Sequence, residues 1–133
     1  MRSRRNSHMA RACMLVCILG LLLLLGACDN PKRFHDPLTP IDVKAGEEFS
    51  IAIWENPSVG YKSNLAEPVD SNLIVLVADT TRPDHNDNRP GSSDTHIWTF
   101  KSVSAGGTTV KFNNYYRDFK NPKDQSIFTI SIR

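Results

Sequence analysis

Three groups of residues in this 133-residue chain are of types that could do chemistry. The stretch Asp84-His85-Asn86-Asp87-Asn88 puts oxygen-bearing side chains at the first, third and fifth positions of a calcium loop. Arg89 stands where that loop requires glycine, and Thr95 where it requires a bidentate Glu. The stretch therefore reads as a polar loop, and no metal or other cofactor is expected. Asp94, His96 and nearby serines supply the residue types of a hydrolytic triad, yet the histidine sits in a strand-like run and no serine lies on a strained strand-to-helix elbow. No catalytic residue is predicted, and the chain is not expected to be an enzyme. The third group is the cysteines Cys13, Cys17 and Cys28.

Cys13 opens an uncharged apolar run to Leu25 that follows Arg2, Arg4, Arg5 and Arg11, the pattern of a secretory signal peptide. The run is shorter than the roughly 20 residues a spanning helix needs. It ends in Leu25-Gly26-Ala27-Cys28, which resembles a bacterial lipobox. The resemblance implies cleavage before Cys28 and lipid on that cysteine, so that the membrane is reached through acyl chains. The alternative, an uncleaved anchor, is opposed by the polar Asp29-Asn30-Pro31 that follows. The expected organisation is a signal over residues 1–27, a tether over 28–40 and a folded domain over 41–133. The expected location is the bacterial cell envelope, facing the periplasm, at the inner or the outer membrane.

Removal of the signal changes the charge. Four of the sixteen Lys and Arg and none of the fourteen Asp and Glu precede Cys28, leaving twelve basic against fourteen acidic residues and a net charge of −2. The apparent basicity belongs to the signal, and nucleic acid is not an expected partner. No thiol remains for a disulfide, a nucleophile or a thiolate metal site. A monomer held by its hydrophobic core alone is expected.

The elements are strands. Residues 29–40 hold three prolines without apolar periodicity and read as a stiff spacer. Phe49, Ile51 and Ile53 alternate with Ser50, Ala52 and Trp54, while Leu73 to Val77 is a continuous apolar run suited to a strand covered on both faces. Trp98 and Phe100 alternate in Thr95–Lys101, Ser104-Ala105-Gly106-Gly107 turns the chain into Thr108–Phe112, and Ser126–Ile132 closes it as another alternating strand. No stretch of ten residues keeps a helical period. The fold expected is all-β, an immunoglobulin-like antiparallel β-sandwich of six to seven strands. Three connections are unlike hairpins: residues 55–60, 80–94 and 117–125. They follow alternate strands, so they should gather at one end of the sandwich. Trp54, Tyr61, Tyr116 and Trp98 are read as core aromatics, and His96 as a satisfied, half-buried histidine.

The first connection is stiff by composition. Pro57 fixes its own φ and biases Asn56 away from helix, Asn56 can bond the turn backbone, and Gly60 permits a positive φ. Asn-Pro-x-x-Gly alone is a common turn. In its context, however, Asn56-Pro57-Ser58-Val59-Gly60-Tyr61 resembles the Asn-Pro-Thr-Thr-Gly-aromatic loop of chagasin-like cysteine protease inhibitors. The order of later features is also similar, from about Val43 to Ile132: a long loop with Pro90-Gly91-Ser92, an aromatic strand, a glycine hairpin, and Arg117-Asp118-Phe119 where the family has Arg-Pro-Trp. The second motif keeps only Gly91 of the family's glycine cluster, and Ser63 stands near a position where the family often has Trp.

The resemblance implies a reversible, competitive inhibitor whose partner is a papain-like cysteine peptidase. Ser58 and Val59 would enter the cleft, the loop around Gly91 would cover its non-primed side, and Phe119, braced by Arg117, would occupy the primed side. Occlusion needs no chemistry, and a preformed wedge loses little entropy on entry. The other reading is a periplasmic binding or scaffold module whose end-loops hold a partner that is not a peptidase.

Overall fold

The computed structural model describes residues 30–84 and 91–133. These hold eight strands: β1 Lys32–Phe34, β2 Ile41–Val43, β3 Glu48–Glu55, β4 Tyr61–Leu65, β5 Ile74–Pro83, β6 Asp94–Ser102, β7 Gly106–Tyr116 and β8 Asp124–Ile132. They form two four-stranded sheets, one in the order β1-β3-β6-β5 and the other β2-β8-β7-β4. Alternation of large apolar residues decides what faces inward. Phe49, Ile51, Trp98 and Phe100 from the first sheet meet Val110, Phe112, Phe128 and Ile130 from the second, all at 2% exposure or less. Trp98 joins the layers, its ring 4.5 Å from that of Phe112, while Phe49 stacks on Phe100 at 5.6 Å. Each such side chain contributes about 1.5–3 kcal/mol by leaving water. That burial holds the sandwich in place of a disulfide.

The architecture is all-β, as the alternation predicts. It departs from a purely antiparallel sandwich of six or seven strands, because β1 pairs parallel with β3 and β2 parallel with β8. Both additions are three residues long, below the length at which periodicity can be read. Each gives hydrogen-bond partners to a strand edge that would otherwise stand open. Lys32-Arg33-Phe34 is thus part of the sheet, not of a spacer, and the folded unit starts before residue 41. The chain runs along the first sheet in β1, crosses to the second in β2, and returns through the turn at Lys44–Glu47 into β3. There the Lys44 amide donates to Glu47 Oε2 at 2.9 Å, and this bond, with the Lys32 ammonium 3.1 Å away, holds the Glu47 carboxyl below its ordinary pKa.

The run Leu73–Val77 also differs from expectation. Ile74 is fully buried, whereas Leu76 and Val77 are 39% and 47% exposed. β5 is an edge strand, and its register against β6 shifts between Leu76 and Ala78. A bulge inserts one residue and turns the apolar run outward, a common event at sheet edges.

Candidate functional site

The pairing registers place three connections at one end of the sandwich. In the first sheet Glu55 lies opposite Asp94 and Asp94 opposite Pro83; in the second, Tyr61 lies opposite Tyr116. The loops that leave these positions are residues 56–60, 84–93 and 117–123.

The first loop is closed by its own backbone. The Asn56 amide donates to the Tyr61 carbonyl at 3.1 Å, and the Asn56 carbonyl accepts from Tyr61 at 2.9 Å, Gly60 at 3.1 Å and Val59 at 3.2 Å. The Asn56 side chain, expected to cap this turn, reaches farther. It is buried, donates from Nδ2 to the Gly91 carbonyl at 2.9 Å, and accepts from the Ser58 hydroxyl at 2.6 Å. One residue thereby fixes two loops, because its carboxamide can donate and accept at once.

The first and third loops interlock. Gly60 has φ +100°, and its carbonyl accepts the Arg117 amide at 2.9 Å. A Cβ at Gly60 would lie 2.8 Å from Arg117 Cγ and 3.1 Å from Arg117 N, so contact as well as conformation requires glycine. Arg117 has φ +60°, unusual for a side chain of its size. Its guanidinium lies over the Tyr116 ring at 4.9 Å. Asp118 then closes the turn: Oδ2 accepts from the Asn121 side chain at 2.8 Å and Oδ1 from the Lys120 amide at 2.9 Å, and these donors hold its carboxyl below the ordinary aspartate value. Phe119 stands out at 53% exposure, with the Lys62 ammonium 5.4 Å from its ring. Between the two loops lies an open depression of about 450 Å³, lined by Pro57, Ser58, Val59, Gly60, Arg117 and Phe119. Val59, at 44% exposure, is the apolar tip on its other side.

Beneath the first loop is a polar tie that motif reading passes over. Glu55 is 5% exposed, and its Oε1 accepts from the Ser63 amide at 2.7 Å and the Ser63 hydroxyl at 2.5 Å. The same oxygen lies 3.0 Å from His96 Nδ1, and His96 Nε2 lies 2.5 Å from Asp79 Oδ1. A buried carboxylate needs such partners, and here they join β3 to β4 across the two sheets and to β6 and β5 alongside. His96 stacks on Trp98 with ring centres 3.6 Å apart, the half-buried histidine expected from strand alternation. The small hydroxyl of Ser63 supplies Glu55 with one of its donors. Only a carboxylate directly before Asn-Pro hinted at this.

The aromatic expectation holds for Trp98 and fails for Trp54. Trp54 is 53% exposed and lies 5.5 Å from Tyr61, which lies 4.5 Å from Tyr116. Together with Arg117 they form a surface ladder under the first and third loops. Trp54 takes the outward position because the strand's inward positions already hold Ile51, Ile53 and Glu55.

Of the residues predicted from sequence, Asn56 to Tyr61, Gly91, Arg117 and Phe119 converge at this end. Ser92 is half-buried beside Gly91, while Pro90 and Cys28 lie outside the described residues. The calcium-like stretch lies outside them too, apart from Asp84. Its carboxylate accepts from Ser93 at 2.5 Å and from Thr95, the residue at the expected Glu position, at 2.7 Å. Among the described residues no cluster of metal-ligating side chains occurs.

The two-sheet sandwich thus presents a first and a third loop that brace each other, with Val59 and Phe119 as exposed apolar tips. Residues 42–132 match the family described as Chagasin family peptidase inhibitor I42, and the chain belongs to that family. Its members are peptidase inhibitors, not enzymes. No curated protein sequence matches the chain significantly. Among solved structures, it is similar to the cysteine protease inhibitor EhICP2 from Entamoeba histolytica, with TM-score 0.60 and 21% identity over 77% of this chain and 95% of that one. It is also similar to PbICP-C, solved in complex with falcipain-2, with TM-score 0.55 and 18% identity over 82% of this chain and 96% of that one. At these identities the likeness speaks for the fold.

Proposed function

We propose that this protein is a reversible, competitive inhibitor of a papain-like cysteine peptidase, which it blocks with the first and third loops as a double wedge and the Gly91 loop beside them. The observation that carries this reading is the pair of exposed apolar tips, Val59 and Phe119, held on either side of one depression by the Gly60–Arg117 interlock. A tip that is ordered before contact loses little conformational entropy on binding, and an aromatic anchor commonly carries about 2 kcal/mol or more of an interface. Family membership favours this reading over a scaffold module. Two structural relatives, the cysteine protease inhibitor EhICP2 and PbICP-C in complex with falcipain-2, favour the same class of target. The first loop is closed by its own backbone hydrogen bonds and so does not offer an extended segment for cleavage, and the chain leaves the complex intact.

Lipid on Cys28 completes the proposal and places the inhibitor at a bacterial membrane surface. The lipobox-like Leu25-Gly26-Ala27-Cys28 supports this part.

The test uses the chain from Asp29 onward, assayed against papain with mass spectrometry of the incubated mixture. The expected result is competitive inhibition by an intact chain, weakened about thirtyfold by Phe119→Ala, the equivalent of about 2 kcal/mol. A specific cut within residues 56–60 with loss of inhibition makes the protein a substrate. Full inhibition by Phe119→Ala removes the third loop from the interface.

A further inference from the structure

We propose that the end of the sandwich opposite the loops faces the lipid bilayer, so that the inhibitory loops point into the aqueous compartment and meet a peptidase that is not itself pressed against the membrane. This rests on lipid attachment at Cys28.

The argument starts from the parallel pairing of β1 with β3. Lys32 lies opposite Phe49 and Phe34 opposite Ile51, so β1 enters where β3 begins and runs toward the end where β3 delivers the first loop. The described chain therefore joins the sheet at the far end from the loops. From Phe49 to Glu55 is six strand steps, about 20 Å. From Cys28 to Lys32 is four Cα steps, at most about 14 Å even when fully extended. An anchor at Cys28 thus has less reach than the distance from the entry of β1 to the base of the loops. A tether over the whole of residues 28–40 would have allowed either end to approach the bilayer; taking Lys32-Arg33-Phe34 into the sheet removes that freedom.

The surface at the entry end suits a membrane boundary. It comprises the turn at residues 44–47, the β6–β7 connection and Arg133, which are neighbours because Gly46 N donates to Ser102 O and Ala45 N to Arg133 O. Lys44, Lys101 and Arg133 are exposed there, and Val103 is an exposed apolar residue on the connection. Of the nearby carboxylates, Glu47 is engaged by the Lys44 amide and Lys32, Glu48 lies opposite Lys101, and the exposed Asp42 and Asp70 offset part of the positive charge. Cations beside an apolar residue match an anionic headgroup region. The loop end offers its exposed apolar tips to a protein cleft.

The experiment uses full-length protein, processed and acylated in bacterial membranes and reconstituted into phosphatidylethanolamine–phosphatidylglycerol vesicles that carry a headgroup quencher. Acylation blocks Cys28, so a single introduced thiol labels cleanly. A fluorophore at Ala105→Cys, on the β6–β7 connection, should lose most of its emission, while one at Lys120→Cys, in the third loop, should keep it. Vesicle-bound wild type should inhibit papain as well as the soluble domain does. Quenching at Lys120, equal quenching at both positions, or inhibition lost on vesicles overturns the orientation. If mass spectrometry of the mature N-terminus shows no acyl chain, or Cys28→Ser still sediments with membranes after carbonate washing, the anchor reading falls and takes this proposal with it. Inhibition by the soluble domain stands in that case, which separates the two readings.

Discussion

The middle of the sandwich and its loop end are built from opposite materials. Between the sheets, Trp98, Phe49, Phe100, Phe112 and Phe128 are buried to 2% exposure or less and hold one another by contact alone. At the loop end, single directed bonds hold the shape: Asn56 to Gly91, Gly60 to Arg117, Glu55 to Ser63. Apolar packing is non-directional and gives the fold its stability, whereas hydrogen bonds fix geometry at small net gain. The difference implies that stability and inhibition can be disturbed separately, and that each region fails in its own way.

The largest expected effect is on the core. Trp98→Ala removes the ring that joins the sheets and stacks on His96, and should cost about 3–5 kcal/mol of stability. Chemical denaturation measures it. Inhibition at low temperature should fall only as far as the folded fraction does. A loss of affinity in fully folded protein would show that Trp98 also sets the loops, through His96 and Glu55.

Gly60→Val comes next and should act the other way round. A β-branched side chain at φ +100° is strained by about 1–3 kcal/mol, and the added Cβ presses on Arg117, so both loops must move. Inhibition of papain should weaken by at least tenfold, about 1.4 kcal/mol, while the core melts cooperatively with its near-ultraviolet signal kept. Wild-type inhibition by this variant breaks the contrast between the regions.

The smallest effect is a pH dependence of the third loop. The Asn121 side chain and the Lys120 amide depress the Asp118 carboxyl in the folded state. The ordering they provide is therefore present above the ordinary aspartate value of about 3.9 and is lost as pH falls through the lower folded value. Followed by NMR, the Lys120 amide should titrate with a midpoint below about 3.9 in wild type and show no such step in Asp118→Asn. A midpoint at or above that value means the cap is not made.

The contrast also explains what was legible in the sequence. Core strands announce themselves because burial imposes a period of two, and Phe49, Ile51, Trp98, Phe100, Phe128 and Ile130 all obey it. The first loop was legible because Pro57 and Gly60 limit backbone freedom locally. The hydrogen bond from Asn56 to Gly91, the positive φ of Arg117 and the Glu55–Ser63–His96 tie join residues far apart in the chain, and no local pattern encodes them. Trp54 misled because alternation locates a strand's two faces without saying which one an aromatic at the strand's end will take. β1 was missed because three residues carry no period, and the outward turn of Leu76 and Val77 because a bulge breaks it.

The Gly60–Arg117 interlock has a consequence for anyone wishing to redirect such a scaffold. Each of the two residues adopts a left-handed backbone that the other fits, so neither loop is an independent cassette. Replacing the first loop with a sequence selected elsewhere would leave Arg117 without the carbonyl that receives its amide, and lengthening the third would displace the residue that only a glycine can approach. New specificity would have to be installed by exchanging both loops as one unit, or by varying only Val59 and Phe119, whose exposed side chains can change without altering the lock beneath them.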